Sequence, residues 1–128
     1  MMMRVIDASY DDLDRLLELK SEIIKETTML LEVELPARET VISRLDRAEK
    51  KNGICLLLVD GDELIGIAEA FPRRFAGMSH CAELDICIRR SHREPAACRL
   101  LLDEMISRCD VMGIWRIELC LIPGNDLL

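Results

Sequence analysis

The residues with the clearest capacity for chemistry lie together between Ala82 and Met105, in the run Ala-Glu-Leu-Asp-Ile-Cys-Ile-Arg-Arg-Ser-His-Arg-Glu-Pro-Ala-Ala-Cys-Arg-Leu-Leu-Leu-Asp-Glu-Met. An apolar strand here passes through a short arginine-bearing turn directly into an amphipathic helix. The first N–H groups of a helix have no intrahelical partner and carry partial positive charge, so a helix entered by a tight turn presents donors to a phosphate. We therefore read residues 93–98 as the docking place of something phosphorylated, with Arg93 and the amides of Ala96, Ala97, Cys98 and Arg99 as donors. The plainer alternative is a solvated basic turn. His92, beside Arg89, Arg90, Arg93 and Arg99, reads as an exposed residue or a phosphate neighbour rather than an acid or base. Cys98, at a helix start, has the setting of a low-pKa thiol, but reads first as packing.

The elements that must position this run are legible on either side of it. Val5 and Ile6 open a short strand, and Ser9 with Asp12 approximates a capping box before a helix over Tyr10 to Lys25, with Leu13, Leu16, Leu17 and Ile24 on one side. Pro36 interrupts the chain. Val41, Ile42, Leu45 and Ala48 then recur at helical spacing, which predicts a helix over Ala37 to Lys51 stopped by a left-handed turn at Asn52-Gly53. Ile54 to Val59 and Glu63 to Ala70 flank Asp60-Gly61-Asp62, a strong hairpin signal. Cys81 to Arg89 reads as a strand in which Ala82, Leu84, Ile86 and Ile88 alternate with Glu83, Asp85 and Cys87.

Pro95 suits the first turn of a helix that carries Leu100, Leu101, Met105, Ile106 and Cys109 and stops at Gly113. Trp115 to Ile122 returns as a strand. A strand, a helix and a strand at this spacing make a right-handed crossover, so the strands at 81–89 and 115–122 are expected to be parallel neighbours in a mixed sheet. The fold class is α+β, β-α-α-β-β-β-α-β, in one domain over residues 1–128.

Bulk properties exclude several partners. A net charge of −7 argues against nucleic acid and anionic membranes, which select basic faces, and suits a cationic substrate. The longest apolar run, Ile54 to Val59, is far below the roughly 20 residues of a membrane-spanning helix, and the amino terminus lacks a signal-peptide core. Cys55, Cys81, Cys87, Cys98, Cys109 and Cys120 contain no Cys-x-x-Cys, and only His80 and His92 accompany them, so no metal site is expected. They read as small buried hydrophobes in a reducing, cytoplasmic compartment.

The element order, together with Glu63-Leu-Ile-Gly-Ile-Ala-Glu-Ala70, Ala82-Glu-Leu-Asp-Ile-Cys-Ile88, Arg99-Leu-Leu-Leu-Asp-Glu-Met105 and Ile117-Glu-Leu-Cys-Leu-Ile-Pro-Gly-Asn-Asp126, resembles the GCN5-related N-acetyltransferase (GNAT) superfamily over nearly the whole chain. The resemblance implies acetyl-CoA as cosubstrate, no metal, and transfer of an acetyl group to a primary amine on a small molecule or peptide. It implies that the turn after the fourth strand, where the family has Arg/Gln-x-x-Gly-x-Gly/Ala, holds the coenzyme's diphosphate, and that Ile86, Cys87 and Ile88 line the pantetheine arm. It also implies that Glu83, with Asp85 as alternate, is the base that takes the proton of the amine; the plainer reading is that both solvate one sheet face or pair with arginine. Asn125 resembles an asparagine that touches the coenzyme in the family, and equally reads as Pro-Gly-Asn-Asp turn chemistry.

Thr28, Met29 and Leu30, within Glu26 to Glu34, fall where the resemblance puts the acceptor-binding loop; a hydrophobic helix extension is the other reading. Two departures bear on these expectations. Arg93-Glu94-Pro95-Ala96-Ala97-Cys98 replaces the glycines with side chains and removes one amide at Pro95. The family's final helix and strand pair, with its tyrosine acid, have no counterpart after Asn125, and Tyr10 is the one tyrosine. The resemblance is therefore to a carboxyl-terminally shortened member. A catalytically silent coenzyme-binding or assembly protein of the same fold is the second expectation, and an exposed sheet edge beside 115–122 favours a homodimer in either case.

Overall fold

The computed structural model describes residues 2–26, 37–72, 77 and 80–119 of the 128. Strands β1 (Met3–Asp7), β2 (Ile54–Asp60), β3 (Glu63–Pro72), β4 (Cys81–Ile88) and β5 (Arg116–Leu119) form one sheet in that order. The first four are antiparallel neighbours, and β5 returns parallel to β4. Helices α1 (Leu13–Glu26) and α2 (Arg38–Glu49) cover one face, and α3 (Pro95–Val111), the crossover between β4 and β5, covers the other. This is the mixed α+β arrangement expected from the sequence.

Local chemistry explains the element boundaries. The Ser9 N–H donates to Asp12 Oδ2 at 2.8 Å and the Asp12 N–H to Ser9 O at 3.0 Å, which starts a 3₁₀ turn over Tyr10–Asp12 before α1 takes over at Leu13. The Asp60-Gly61-Asp62 turn closes the β2/β3 hairpin with Asp60 opposite Glu63 and Gly61 at φ 61°. The stop after α2 differs from expectation. Lys51, at φ 58°, is the left-handed residue, with the Asn52 N–H donating to Arg47 O at 2.8 Å in a Schellman-type closure. Gly53 serves packing instead, because a Cβ there would sit 2.3 Å from Phe71 Cδ1.

Two cores form because every strand of the sheet alternates. Ile54, Leu56, Leu58, Ile65, Ala68, Ala70, Ala82, Leu84, Ile86 and Ile88 meet Ala97, Cys98, Leu101, Met105 and Cys109 of α3. On the other face Cys55, Leu57, Val59, Leu64 and Ile67 meet Leu13, Leu16, Leu19 and Ile23 of α1 and Val41 and Leu45 of α2. Leu17 and Ile24, assigned to the packing side of the first helix, are only half-buried. Likewise Leu100 and Ile106 stand on the outer side of α3.

The inner stripe of α1 carries a charge in its middle. Lys20 Nζ lies 2.6 Å from Glu69 Oε1 of β3, and both side chains are about 5–6% exposed. Arg44 Nη1 of α2 stands 3.9 Å from the other oxygen, Glu69 Oε2. One strand carboxylate thus holds both helices of that layer. Desolvating two ions costs several kcal/mol each and is offset only while the pair is intact.

The five described cysteines are free thiols, and Cys55, Cys81, Cys98 and Cys109 are buried as packing residues. Burial pushes the thiols of Cys55, Cys98 and Cys109 up from the ordinary value of 9.0, and Glu69 raises Cys55 further. Cys98 is therefore a core thiol and not an activated one.

Two outcomes follow from this packing. Lys20→Met strands Glu69 and lowers stability by about 3–5 kcal/mol, whereas Lys20→Met with Glu69→Leu recovers most of the loss, as urea denaturation will read out. The raised thiols keep their protons in the folded state while the unfolded chain loses them, so their stability contribution is complete below pH 9.0 and falls as pH rises beyond it. A thermal unfolding series from pH 7 to pH 10.5 checks the sign.

Candidate functional site

The strand β4 has different neighbours along its two edges. It pairs with β3 from Ala82 to Ile88, but with the described part of β5 only from Cys81 to Leu84. The Arg89 N–H continues the β3 ladder by donating to Ile65 O at 2.8 Å. Peptide groups alternate in an antiparallel ladder, so Glu83, Asp85 and Cys87 spend theirs on β3 while Ala82, Leu84, Ile86 and Ile88 turn theirs to the β5 side. Ala82 and Leu84 meet Ile117 and Leu119 there. Ile86 and Ile88 lie past Leu84, beside no described strand, and Arg93 Nε closes on Ile88 O at 2.8 Å.

The side chains divide by the same alternation. Ile86 and Ile88 are buried against α3, and Glu83, Asp85 and Cys87 project from the face that carries α1 and α2. Glu83 is exposed and bonds to no described group; Asp85 and Cys87 are half-buried. In register, Glu83 stands between Phe71 of β3 and Glu118 of β5, and Asp85 stands opposite Glu69. Like charges side by side on neighbouring strands repel, and Arg116 Nε at 3.9 Å from Glu118 Oε1 relieves part of that. Lys20 and Arg44 do the same for the row that holds Glu69.

The turn between β4 and α3 begins as a 3₁₀ turn over Arg90–His92, and Pro95 is the first residue of the helix after Glu94 in extended conformation. The Ala97 and Cys98 N–H groups, expected to face a phosphate, both donate to Glu94 O at 3.1 and 3.3 Å. The Arg99 N–H lies within the helix. The Ala96 N–H has no described partner, and Ala96 is exposed. Pro95 therefore fixes a first turn with fewer open amides than the sequence pattern implied. Arg90, Arg93 and Arg99 are the open donor's near neighbours along the chain.

The expected site residues Glu83, Asp85, Ile86, Cys87, Ile88, Arg93, Ala96, Ala97, Cys98 and Arg99 thus lie on one strand and the turn that leaves it. Thr28, Met29, Leu30 and Asn125 lie outside the described residues. Sequence reasoning missed Glu69 and Lys20, whose one signal was that each interrupts an apolar stripe. It also missed that His92 Nε2 lies 3.2 Å from Asp60 Oδ2, a contact across the fold with no local signature. Among the described residues no group of three or more His, Cys, Asp or Glu could hold a metal ion, and no helix is long and apolar enough to cross a membrane.

No curated protein matches this sequence. Solved structures share its fold. The chain is similar to an acetyltransferase of the GNAT family from Streptococcus pneumoniae, with TM-score 0.87 and 22% identity over 97% of this chain and 77% of that one. It is similar to the PaiA N-acetyltransferase from Thermoplasma acidophilum in complex with coenzyme A, with TM-score 0.83 and 20% identity over 99% and 84% of the two chains. A GNAT-superfamily phosphinothricin acetyltransferase from Sinorhizobium meliloti, in complex with acetyl-CoA, gives TM-score 0.82 and 20% identity over 94% of this chain and 66% of that one. The model of the acetyltransferase (GNAT) family matches residues 16–126, and by that match the chain belongs to the GNAT acetyltransferase family.

Proposed function

We propose that the protein is an acetyl-CoA-dependent N-acetyltransferase that moves an acetyl group to a primary amine. What supports this reading is the family match over residues 16–126, together with the β5-side edge of β4 at Ile86 and Ile88, which no described strand covers, next to a helix start with an open amide at Ala96. An extended chain rich in amides pairs with such an edge as an added strand would. The pantetheine arm has that character, so the peptide group of Ile86 and the N–H of Ile88, whose carbonyl Arg93 holds, would bind it, with Cys87 alongside. Arg93, Arg99 and the amides at Ala96, Ala97 and Cys98 form the diphosphate end, with Ala96 the open donor among them, and Asn125 is assigned to the same ligand. Acetyl-CoA supplies the activated thioester; no metal takes part.

An ammonium must lose a proton before its nitrogen can attack a carbonyl. Glu83 is assigned that proton, with Asp85 as alternate, because both stand on the face opposite α3, beside the strand edge that would align the thioester. The N–H groups on that edge stabilise the charge that develops on the carbonyl oxygen. The acceptor is assigned to the same face, with Thr28, Met29 and Leu30 as its contacts. Glu83, Asp85 and Glu118 make that face acidic, which suits a cationic small molecule or peptide amine.

We place the protein in the cytoplasm, since its described cysteines are free. We also propose a homodimer with no nucleic-acid or membrane partner. Among the described residues β5 is the edge strand, with Trp115 just before it 83% and Leu119 at its end 40% exposed, and a second copy would cover them. Light scattering at micromolar concentration is expected to give twice the mass of one chain; a monomer mass refutes the dimer.

Millimolar acetyl-CoA is expected to raise the melting temperature by linkage, and a panel of amines, polyamines and peptides to release free thiol from it. Glu83→Gln is expected to lower kcat by about 10²–10⁴-fold with the coenzyme-induced shift unchanged. A shift without thiol release from any amine makes the protein a silent binder. No shift at all overturns the coenzyme reading.

A further inference from the structure

The turn at residues 89–94 lacks the glycines of its family and is instead tied by its own side chains to three other elements, α1, β2 and β3. At its start the Arg89 Nε donates to Leu64 O of β3 at 2.8 Å, and the same guanidinium pairs with Glu22 of α1. At its end Arg93 Nε bonds Ile88 O at 2.8 Å. In the middle, His92 Nε2 lies 3.2 Å from Asp60 Oδ2 at the end of β2. Ser91 Oγ lies 2.7 Å from the other ring nitrogen, Nδ1.

The chemistry of these groups orders the contact. An ionised carboxylate only accepts, so Nε2 carries the proton and donates to Asp60, which leaves the Nδ1 of a neutral ring to accept from the Ser91 hydroxyl. The His92 and Asp60 side chains are 13% and 21% exposed, so the bond is shielded from water on most sides. The second oxygen, Asp60 Oδ1, accepts the Met2 N–H at 3.2 Å, and Asp60 itself faces Met3 of β1 and Glu63 of β3 in register. The carboxylate is thus tied to the Met2 N–H on its own side, and the residue that carries it lies in a strand paired on both edges.

A ligand site needs its contacting groups held to within about half an ångström by groups behind them. A glycine-rich turn wraps its ligand by backbone freedom; this turn has side chains and a proline, and must arrive already shaped. We propose that Asp60 and His92 are positioning residues for the diphosphate turn, acting through residues 90–94 to present the Ala96 N–H and the neighbouring arginines rather than touching the coenzyme themselves. The inference rests on the coenzyme reading above.

Coenzyme A affinity, measured by calorimetry on the full chain, tests it alongside melting temperature. Asp60→Ala and His92→Ala are each expected to weaken binding about tenfold with little change in melting temperature. The double variant is expected to bind no worse than the weaker single, since the tie is already broken in each. His92→Gln, whose amide can still donate to Asp60, is expected to recover most of the affinity. Single variants that bind like the unchanged protein overturn the proposal, as do losses that add in the double variant. A His92→Gln variant as weak as His92→Ala assigns the imidazole to the ligand itself and also overturns it. If the unchanged protein binds no coenzyme A, the coenzyme reading fails first and takes this inference with it, an outcome separable from the others.

Discussion

A strand inside a sheet that loses one neighbour halfway along is left with peptide groups that must find other partners. Among the described residues β4 is such a strand: β3 accompanies it throughout, and described β5 only as far as Leu84. Its pairing parity then decides what the half beyond described β5 offers. Ile86 turns its backbone donor and acceptor, and Ile88 its donor, to the β5 side, with the Ile88 carbonyl held by Arg93, while both side chains stay in the core against α3. A residue slip in the β3/β4 register would exchange those roles, burying the carboxylates and exposing the isoleucines. The site therefore depends on register more than on any one side chain.

What fixes the register on the opposite face is electrostatic as well as apolar. Glu69 sits in the row between Cys55 and Asp85, and its two oxygens are held by cations from α1 and α2. A buried pair of this kind adds little net stability, but only one alignment satisfies it. It ties the helix layer to the strand next to β4, and so holds constant the distance between the helices and the shelf of Glu83 and Asp85. On the turn side, contacts from Glu22, Leu64 and Asp60 do comparable work where glycines are absent.

Much of this was legible in the chain. Alternation through residues 82–88 assigned each side chain of β4 to its observed face, Asp60-Gly61-Asp62 marked the β2/β3 hairpin, and the helix between 95 and 111 required a parallel return. The illegible parts were tertiary. A lysine within an apolar stripe pulled the reading of α1 toward Leu17 and Ile24, because nothing local shows that Glu69 waits 49 residues away. The left-handed residue after α2 is Lys51, not the asparagine or glycine that follows, since closure geometry outranked residue preference. The capture of the Ala97 and Cys98 amides by Glu94 follows from how Pro95 seats the first turn, which spacing alone does not reveal.

The most direct measurement is a titration of the ¹⁵N-labelled protein with acetyl-CoA, followed residue by residue through backbone amide shifts and exchange rates. The account predicts that the amides of Ile86, Ile88 and Ala96 move together and become protected as the coenzyme binds, while those of Cys87 and Asp85, already bonded to β3, change little. Saturable binding that leaves the Ile86 and Ile88 amides unmoved and freely exchanging would contradict it.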